Sequence, residues 1–222
     1  MNHIINQEII NQIQLNYDNI PLAVFLLGTN GSGKSSLRNY LNLSDIQTNI
    51  DPDVLNRIYK AKFPRTYQIE AGKQALKMYD DALSSGMNIC LESTLAGRGT
   101  MQRIMAAKAQ GYHTIAYYIG LNSIELNLER IAMRVARGGH DIAEALVRKR
   151  YFESADNLLK VMPSIDVLHV VDNSDAYFRQ QFDVVGGVPN VHCQKLESWA
   201  DKLCANFKVW KIGNEKIIPH SG

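Results

Sequence analysis

The chain has 222 residues, which predicts one well-packed domain rather than two. Hydrophobic residues make up 45% and charged residues 21%, a balance that excludes a disordered or fibrous chain. The formal net charge of +2 is far from that of a dedicated nucleic-acid binder, so we do not expect nucleic acid as a partner. Three cysteines without C-x-x-C spacing favour a reducing, cytoplasmic location. We predict neither a secretion signal nor a membrane span.

The first predicted element is an amphipathic leader helix, which we assign to residues 1–20. Isoleucines recur at helical spacing over residues 4–17, and Pro21 ends the pattern before an apolar run. Such a helix can bind a partner or cover a sheet, and we favour the second interpretation.

The predicted core, residues 21–175, alternates strand-like apolar runs with helix-like segments. The runs are residues 22–27, 46–50, 87–91, 114–119 and 167–171, and the helical segments lie near 34–41, 69–84, 99–110, 123–136 and 142–161. This order predicts an α/β fold with a mainly parallel sheet flanked by helices. Residues 176–222 predict an appendage packed on that core, with a β-hairpin around Gly186-Gly187, a helix over 195–204 and a tail without clear period.

A glycine-rich phosphate loop follows the first predicted strand. The pattern G-x-x-x-x-G-K-[ST] is satisfied by Gly28, Thr29, Asn30, Gly31, Ser32, Gly33, Lys34 and Ser35, and Ser36 extends it. Glycines permit the positive φ angles that turn backbone N–H groups toward an anion. Lys34 then reaches the β and γ phosphates of ATP, and Ser35 offers its hydroxyl to Mg²⁺.

Acidic side chains follow two other predicted strands. Asp51 and Asp53 come after the second strand, where one can cap the next helix while the other orients or deprotonates an acceptor hydroxyl. Glu92 ends the third strand and can bind acceptor hydroxyls, hold magnesium through water, or belong to a helix-capping turn. Thr94 and Arg98 follow it in the same turn.

Arginines cluster around a Gly-Gly pair further along the chain. Arg130, Arg134 and Arg137 are spaced i, i+4, i+7 on one predicted helix before Gly138-Gly139, and Arg148 and Arg150 lie on the next helix. Guanidinium groups bind phosphate oxygens in a bidentate manner, so the cluster predicts a mobile lid over the γ-phosphate. The alternative is a solvated charged face.

With these residues in view, the chain resembles the zeta-toxin family of P-loop kinases over about residues 20–175. The similarity rests on ordered blocks: GTNGSGKSS at 28–36, NIDPD at 49–53, LESTLAGR at 91–98, RVARGGHDI at 134–142 and RKRY at 148–151, with VVDNS at 170–174 at the close of the last core strand.

The resemblance implies ATP- and Mg²⁺-dependent phosphotransfer to UDP-N-acetylglucosamine, on its sugar 3′-hydroxyl, with a small antitoxin-like protein as a candidate partner. Carried over by position, Asp53 is the general base, Lys34 and Ser35 bind nucleotide and metal, and Arg137 and Arg150 bind the γ-phosphate. Arg134 joins the nucleotide-binding residues, and Asp51, Glu92, Thr94 and Arg98 are assigned to the acceptor side.

Other functions remain compatible with these residues. The chain can be a kinase of another small molecule, a nucleotide or a nucleic-acid end, because these enzymes share the phosphate loop and a lid. It can also be an ATP-binding switch without an acceptor, in which Asp53, Glu92 and the lid arginines have no catalytic role.

Overall fold

The fold is described by a computed structural model that covers residues 20–215. Nearly all of the predicted leader helix and the last residues of the tail therefore lie outside the described residues. Within the described part of the chain, no helix is both long and apolar enough to cross a membrane.

A seven-stranded sheet forms the centre of the molecule, in the order β2-β3-β1-β4-β5-β6-β7. The first five strands of this order pair in parallel, and the last two pair antiparallel. The strands are β1 (Leu22–Leu27), β2 (Thr48–Ile50), β3 (Ile89–Ser93), β4 (His113–Gly120), β5 (Val167–Asp172), β6 (Arg179–Val185) and β7 (Val188–Val191). The predicted α/β fold with a mainly parallel sheet is confirmed. The predicted hairpin is also present, and it extends the same sheet.

Seven α-helices connect or flank the described strands. They are α1 (Lys34–Arg38), α2 (Pro52–Lys62), α3 (Tyr67–Ser84), α4 (Arg98–Ala109), α5 (Ile124–Ala136), α6 (Glu144–Val161) and α7 (Ser198–Glu215). The last helix begins later and runs further than the predicted range of 195–204, because the sequence after Asn206 has no clear apolar period from which to predict it.

Hydrophobic layers cover both faces of the sheet, as buried parallel strands require. Phe25 faces one layer, which α3, α4, α6 and α7 help to build, and the next residue, Leu26, faces the other layer together with Leu37 of α1. Every residue of β1 is buried. The loop after β1 is therefore held at the middle of the sheet, at the edge where the parallel strands end, which is where ligands bind in open α/β sheets.

Candidate active site

The loop between β1 and α1 depends on three glycines with positive φ. These angles are 139° at Gly28, 81° at Gly31 and 98° at Gly33. A Cβ atom on the first two would overlap the backbone carbonyl oxygens of Ile119 and Asn127, and one on Gly33 would overlap the Asn173 side chain. Only glycine fits these positions, so the backbone can adopt the concave shape that a phosphate-binding nest needs.

Two asparagine side chains from distant elements hold this loop in place. Asn127 of α5 donates from Nδ2 to the carbonyl oxygen of Asn30 at 2.8 Å. Asn173, just after β5, donates from Nδ2 to the carbonyl oxygen of Ser32, also at 2.8 Å. Neither residue was predicted as a site residue from the sequence. Asn173 lies within the block 170–174 that the family resemblance includes, whereas a single amide in a helix gives no sequence signal.

Lys34, Ser35 and Glu92 form a polar cluster at the end of the loop, in which Lys34 and Glu92 are buried and Ser35 is exposed. The Lys34 ammonium donates to the carbonyl oxygens of Gly28 (2.8 Å) and Thr29 (3.1 Å). The Ser35 hydroxyl lies 2.9 and 3.1 Å from the two carboxylate oxygens of Glu92, which sits at the tip of β3 beside β1. Glu92 is thus in direct contact with Ser35, the residue that the sequence predicts to bind Mg²⁺. Oxygen atoms of a hydroxyl and a carboxylate are suitable donors for Mg²⁺ and its bound water.

Burial perturbs both charged groups of this cluster. Loss of water lowers the pKa of Lys34, and the negative charge of Glu92 partly offsets that effect. The same burial raises the pKa of Glu92, and the Lys34 charge opposes it. Perturbed groups of opposite sign in one cleft are typical of functional sites, where bound charges replace the missing water.

The two aspartates after β2 have different roles in the structure. Asp51 caps α2, with its Oδ1 accepting from the backbone N–H groups of Asp53 (2.9 Å) and Val54 (3.2 Å). Asp53 leaves its own carboxylate directed away from the cap, 3.3 Å from the Arg134 guanidinium, with 47% of the side chain exposed. Asp53 is therefore the aspartate of this pair that is available to meet a ligand.

Arg134 and Arg150 each contact Asp53 or the loop. Arg134 also donates to the carbonyl oxygen of His140 at 2.8 Å, and Arg150 donates to Oδ1 of Asn30 at 2.8 Å. Arg130 donates to the carbonyl oxygen of Ser174, just after β5, at 3.4 Å. Burial lowers the pKa of Arg130 and of Arg150, as expected for cations removed from water before an anion binds.

Other predicted site residues lie further out. Arg137 is exposed at the end of α5, and Arg98 is exposed at the first position of α4. Arg148 is bound to Glu144 (2.8 Å) and Glu125 (3.1 Å) at the surface. The structure therefore does not bring Arg98, Arg137 or Arg148 to the phosphate loop.

Two cavities meet at the loop. The first, of about 500 Å³, is bounded by the phosphate loop, α5 and the segment after β5; its lining includes Gly31, Gly33, Lys34, Ser35, Ser36, Tyr40, Glu92, Arg130, Arg134, Asn173, Tyr177 and Phe178. The second, of about 570 Å³, lies among four helices; its lining includes Asn56, Gln68, Ala71, Gly72, Ala75, Arg103, His140, Asp141, Leu146 and Arg150. Asn30 and Asp53 line both cavities. Thr94 lines a small recess beside Asp51, Asp53 and Glu92.

A mainly parallel sheet with a G-x-x-x-x-G-K-S loop after its central strand defines the class of P-loop kinase-like proteins. The model of the zeta toxin family matches residues 7–182, and the chain therefore belongs to that family. A curated relative, an uncharacterized protein of Haemophilus influenzae, is 42% identical over 129 residues, which are 58% of this chain and 91% of the relative.

Solved structures share the fold at low sequence identity. A chain of the AvrRxo1-ORF1:-ORF2 complex with ATP superimposes with a TM-score of 0.64 and 17% identity, over 84% of this chain and 64% of that one. The present chain thus spans less than two thirds of that protein's length. A chain of the PezAT chromosomal toxin-antitoxin system of Streptococcus pneumoniae has a TM-score of 0.55 and 15% identity, over 90% of each chain.

Proposed function

We propose that this protein is an ATP-dependent phosphotransferase that moves the γ-phosphate of ATP, bound in the first cavity, to a hydroxyl of a small acceptor in the second. The observation that carries this proposal is the position of Asp53, whose side chain lines both cavities. Phosphoryl transfer needs the attacking hydroxyl in line with the leaving oxygen, and a base at the junction of the two cavities meets that requirement.

The phosphates of ATP fit the first cavity through its existing donors. The nest at Gly28 to Gly33 supplies backbone N–H groups, and Lys34 supplies a buried ammonium. Bound Mg²⁺ would neutralise charge on the phosphates, and we assign it to Ser35, with Glu92 holding that hydroxyl or a metal-bound water.

Arg134 and Arg150 fit the role of stabilising charge on the transferred group. Arg150 lies 2.8 Å from Asn30 of the phosphate loop, and Arg134 lies 3.3 Å from Asp53. A γ-phosphate would compete with Asp53 for the Arg134 guanidinium, and Asp53 would then be released toward the acceptor hydroxyl. The exposed Arg137 can join this group only if the end of α5 moves, so we give its role to Arg134.

UDP-N-acetylglucosamine is the acceptor that we propose from family membership, and a cavity of about 570 Å³ lies in the usual range for ligands of that size class. A small antitoxin-like protein is the partner that we propose, because one solved neighbour belongs to a toxin-antitoxin system. We also retain the cytoplasm as the proposed location and residues 21–175 as the catalytic core.

Incubation with Mg²⁺ and γ-labelled ATP tests the proposal. We expect a labelled product with UDP-N-acetylglucosamine or, if the acceptor differs, with a pool of bacterial metabolites. Lys34→Ala should abolish the transfer, because the buried ammonium is lost from the phosphates. Slow ATP hydrolysis that neither the sugar nucleotide nor the pool changes would contradict the proposal and favour an ATP-binding switch.

A further inference from the structure

Arg103 occupies an unusual position on α4, on the side that faces the second cavity. Its guanidinium carbon lies 5.8 Å from the centre of the Tyr79 ring, so the cation is within cation–π range of a buried aromatic side chain. The Tyr79 hydroxyl donates to the backbone carbonyl oxygen of Arg103 at 2.6 Å, which fixes the two helices against each other at this point. The backbone of Arg103 is therefore held in place, and the residue lines the cavity.

The Nε atom of Arg103 is buried and has no hydrogen-bond partner among the described residues. A buried donor of this kind is costly to leave unpaired, so proteins rarely retain one without a function. The terminal N–H groups of Arg103 also have no hydrogen-bond partner among the described residues, and such a guanidinium end is suited to bidentate binding of an oxyanion.

Among the charged residues of the second cavity, Arg103 is the one suited to bind an anion. Arg150 is the other arginine in the cavity lining, and its guanidinium is bound to Asn30 of the phosphate loop. Asp53 and Asp141 are negative and would repel an anion. Small residues of α3, Ala71, Gly72 and Ala75, line the same cavity and leave space beside Arg103.

We propose that Arg103 determines acceptor specificity by binding an oxyanion of the acceptor, a phosphate or a carboxylate, while the acceptor hydroxyl meets Asp53. This inference rests on the proposed function, since it treats the second cavity as the acceptor site. It goes beyond that function by stating which residue selects an anionic acceptor. Arg98, assigned to the acceptor side by sequence, is exposed outside this cavity and does not meet the requirement.

Anion binding in the absence of turnover tests the inference. The whole protein is saturated with Mg²⁺ and a non-hydrolysable ATP analogue, which occupies the first cavity. Its unfolding temperature is then followed as inorganic phosphate, malonate or chloride is added at equal ionic strength. The variants are Arg103→Met, which keeps much of the side-chain length without the charge, and Arg103→Lys, which keeps the charge without the bidentate guanidinium geometry. Arg57→Met, which removes an exposed arginine of α2 outside both cavities, is the matched control.

We expect phosphate or malonate to stabilise the wild type and Arg57→Met more than chloride does. Arg103→Met should weaken that binding by about tenfold or more, and Arg103→Lys by less. Stronger binding of phosphate indicates a phosphorylated acceptor, and stronger binding of malonate indicates a carboxylated one.

The inference is overturned if neither anion stabilises the wild type beyond chloride. It is also overturned if Arg103→Met binds both anions as tightly as the wild type does. Should Arg103→Met not fold, wild-type binding of both anions by Arg103→Lys overturns it instead. Because this readout needs no phosphotransfer, a failure of the transfer assay would contradict the proposed function and leave the role of Arg103 as an anion-binding residue to be judged separately.

Discussion

The two cavities that meet at Asp53 are built in different ways. The first combines a continuous segment, Asn30 to Ser36, with side chains from α2, β3, α5 and the segment after β5, and the shape of the continuous segment is set by glycine φ angles and two asparagine hydrogen bonds. The second is bounded by side chains from helices α2, α3 and α6 and from Arg103 of α4, which are distant in sequence. The loop that forms one wall of the phosphate site can therefore be encoded locally, whereas acceptor recognition depends mainly on how helices pack.

The same contrast separates the two cavities chemically. Lys34 and Glu92 in the first cavity are buried charges of opposite sign, a geometry that suits a polyanion with its metal. The second cavity has polar amides, two arginines and two aspartates around small residues, which suits a polar organic molecule with separate anionic and hydroxyl groups. We expect mutations in the two cavities to separate nucleotide binding from acceptor binding.

The largest selective effect should come from Asp53→Asn, at the junction of the cavities. We expect turnover to fall by about 10² or more with ATP affinity nearly unchanged, because the variant keeps the size of the side chain and loses the carboxylate that acts as base and pairs with Arg134. Steady-state kinetics and nucleotide titration measure the two quantities. Asp80→Asn, at an exposed position of α3, is the matched control. Normal turnover in Asp53→Asn would remove the aspartate from the catalytic role.

Glu92→Gln should affect metal use in the first cavity. The variant loses the carboxylate that lies 2.9 Å from the Ser35 hydroxyl, so the half-saturating Mg²⁺ concentration should rise by about tenfold. Acceptor binding to the second cavity should change much less. Titration of activity with Mg²⁺ measures the effect, and the exposed Glu129→Gln serves as control. If acceptor affinity fell while Mg²⁺ dependence stayed constant, Glu92 would belong to the acceptor side, as the family resemblance suggests.

A matched pair of glycine substitutions gives the smallest but sharpest comparison. Gly33→Ala places a methyl group at φ 98° against the Asn173 side chain, and should weaken ATP binding by about tenfold. Gly72→Ala lies within α3 with nothing within 4 Å of the new methyl group, and should raise stability by about 0.5–1 kcal/mol while leaving ATP affinity unchanged. Thermal unfolding and ATP titration of both variants check this. Equal effects on ATP affinity would mean that the two cavities are not separate sites.

Much of the fold could be predicted because its signals are local. The run Leu22–Leu27, its glycine loop and the alternation of strands with helices all follow from patterns within a few residues. The extension of the sheet by β6 and β7 could not be predicted, since the register against β5 is formed across the fold. A helix over 195–204 was predicted, but its extension to Glu215 in α7 was not, because the residues after 206 show no apolar period.

The candidate site divides in the same way. Asp51 and Asp53 were identified as a cap and a candidate base, and the structure assigns the cap to Asp51 through its bond to the Asp53 N–H. Asn127 and Arg103 had no signal, because a single amide or arginine in a helix is usually solvated. Arg98 and Arg137 were chosen by position in a motif, and their exposure depends on how the helix ends pack.

The amino-acid sequence is sufficient to predict the phosphate-binding loop, the α/β class and the acids that end the strands, because each depends on backbone geometry over a few residues. Tertiary structure decided which arginines reach the loop, that Glu92 lies under Ser35, and that a second cavity opens beside Asp53. The physical reason is that these contacts join elements up to about 120 residues apart in the chain, whose approach is set by packing on the two faces of one sheet.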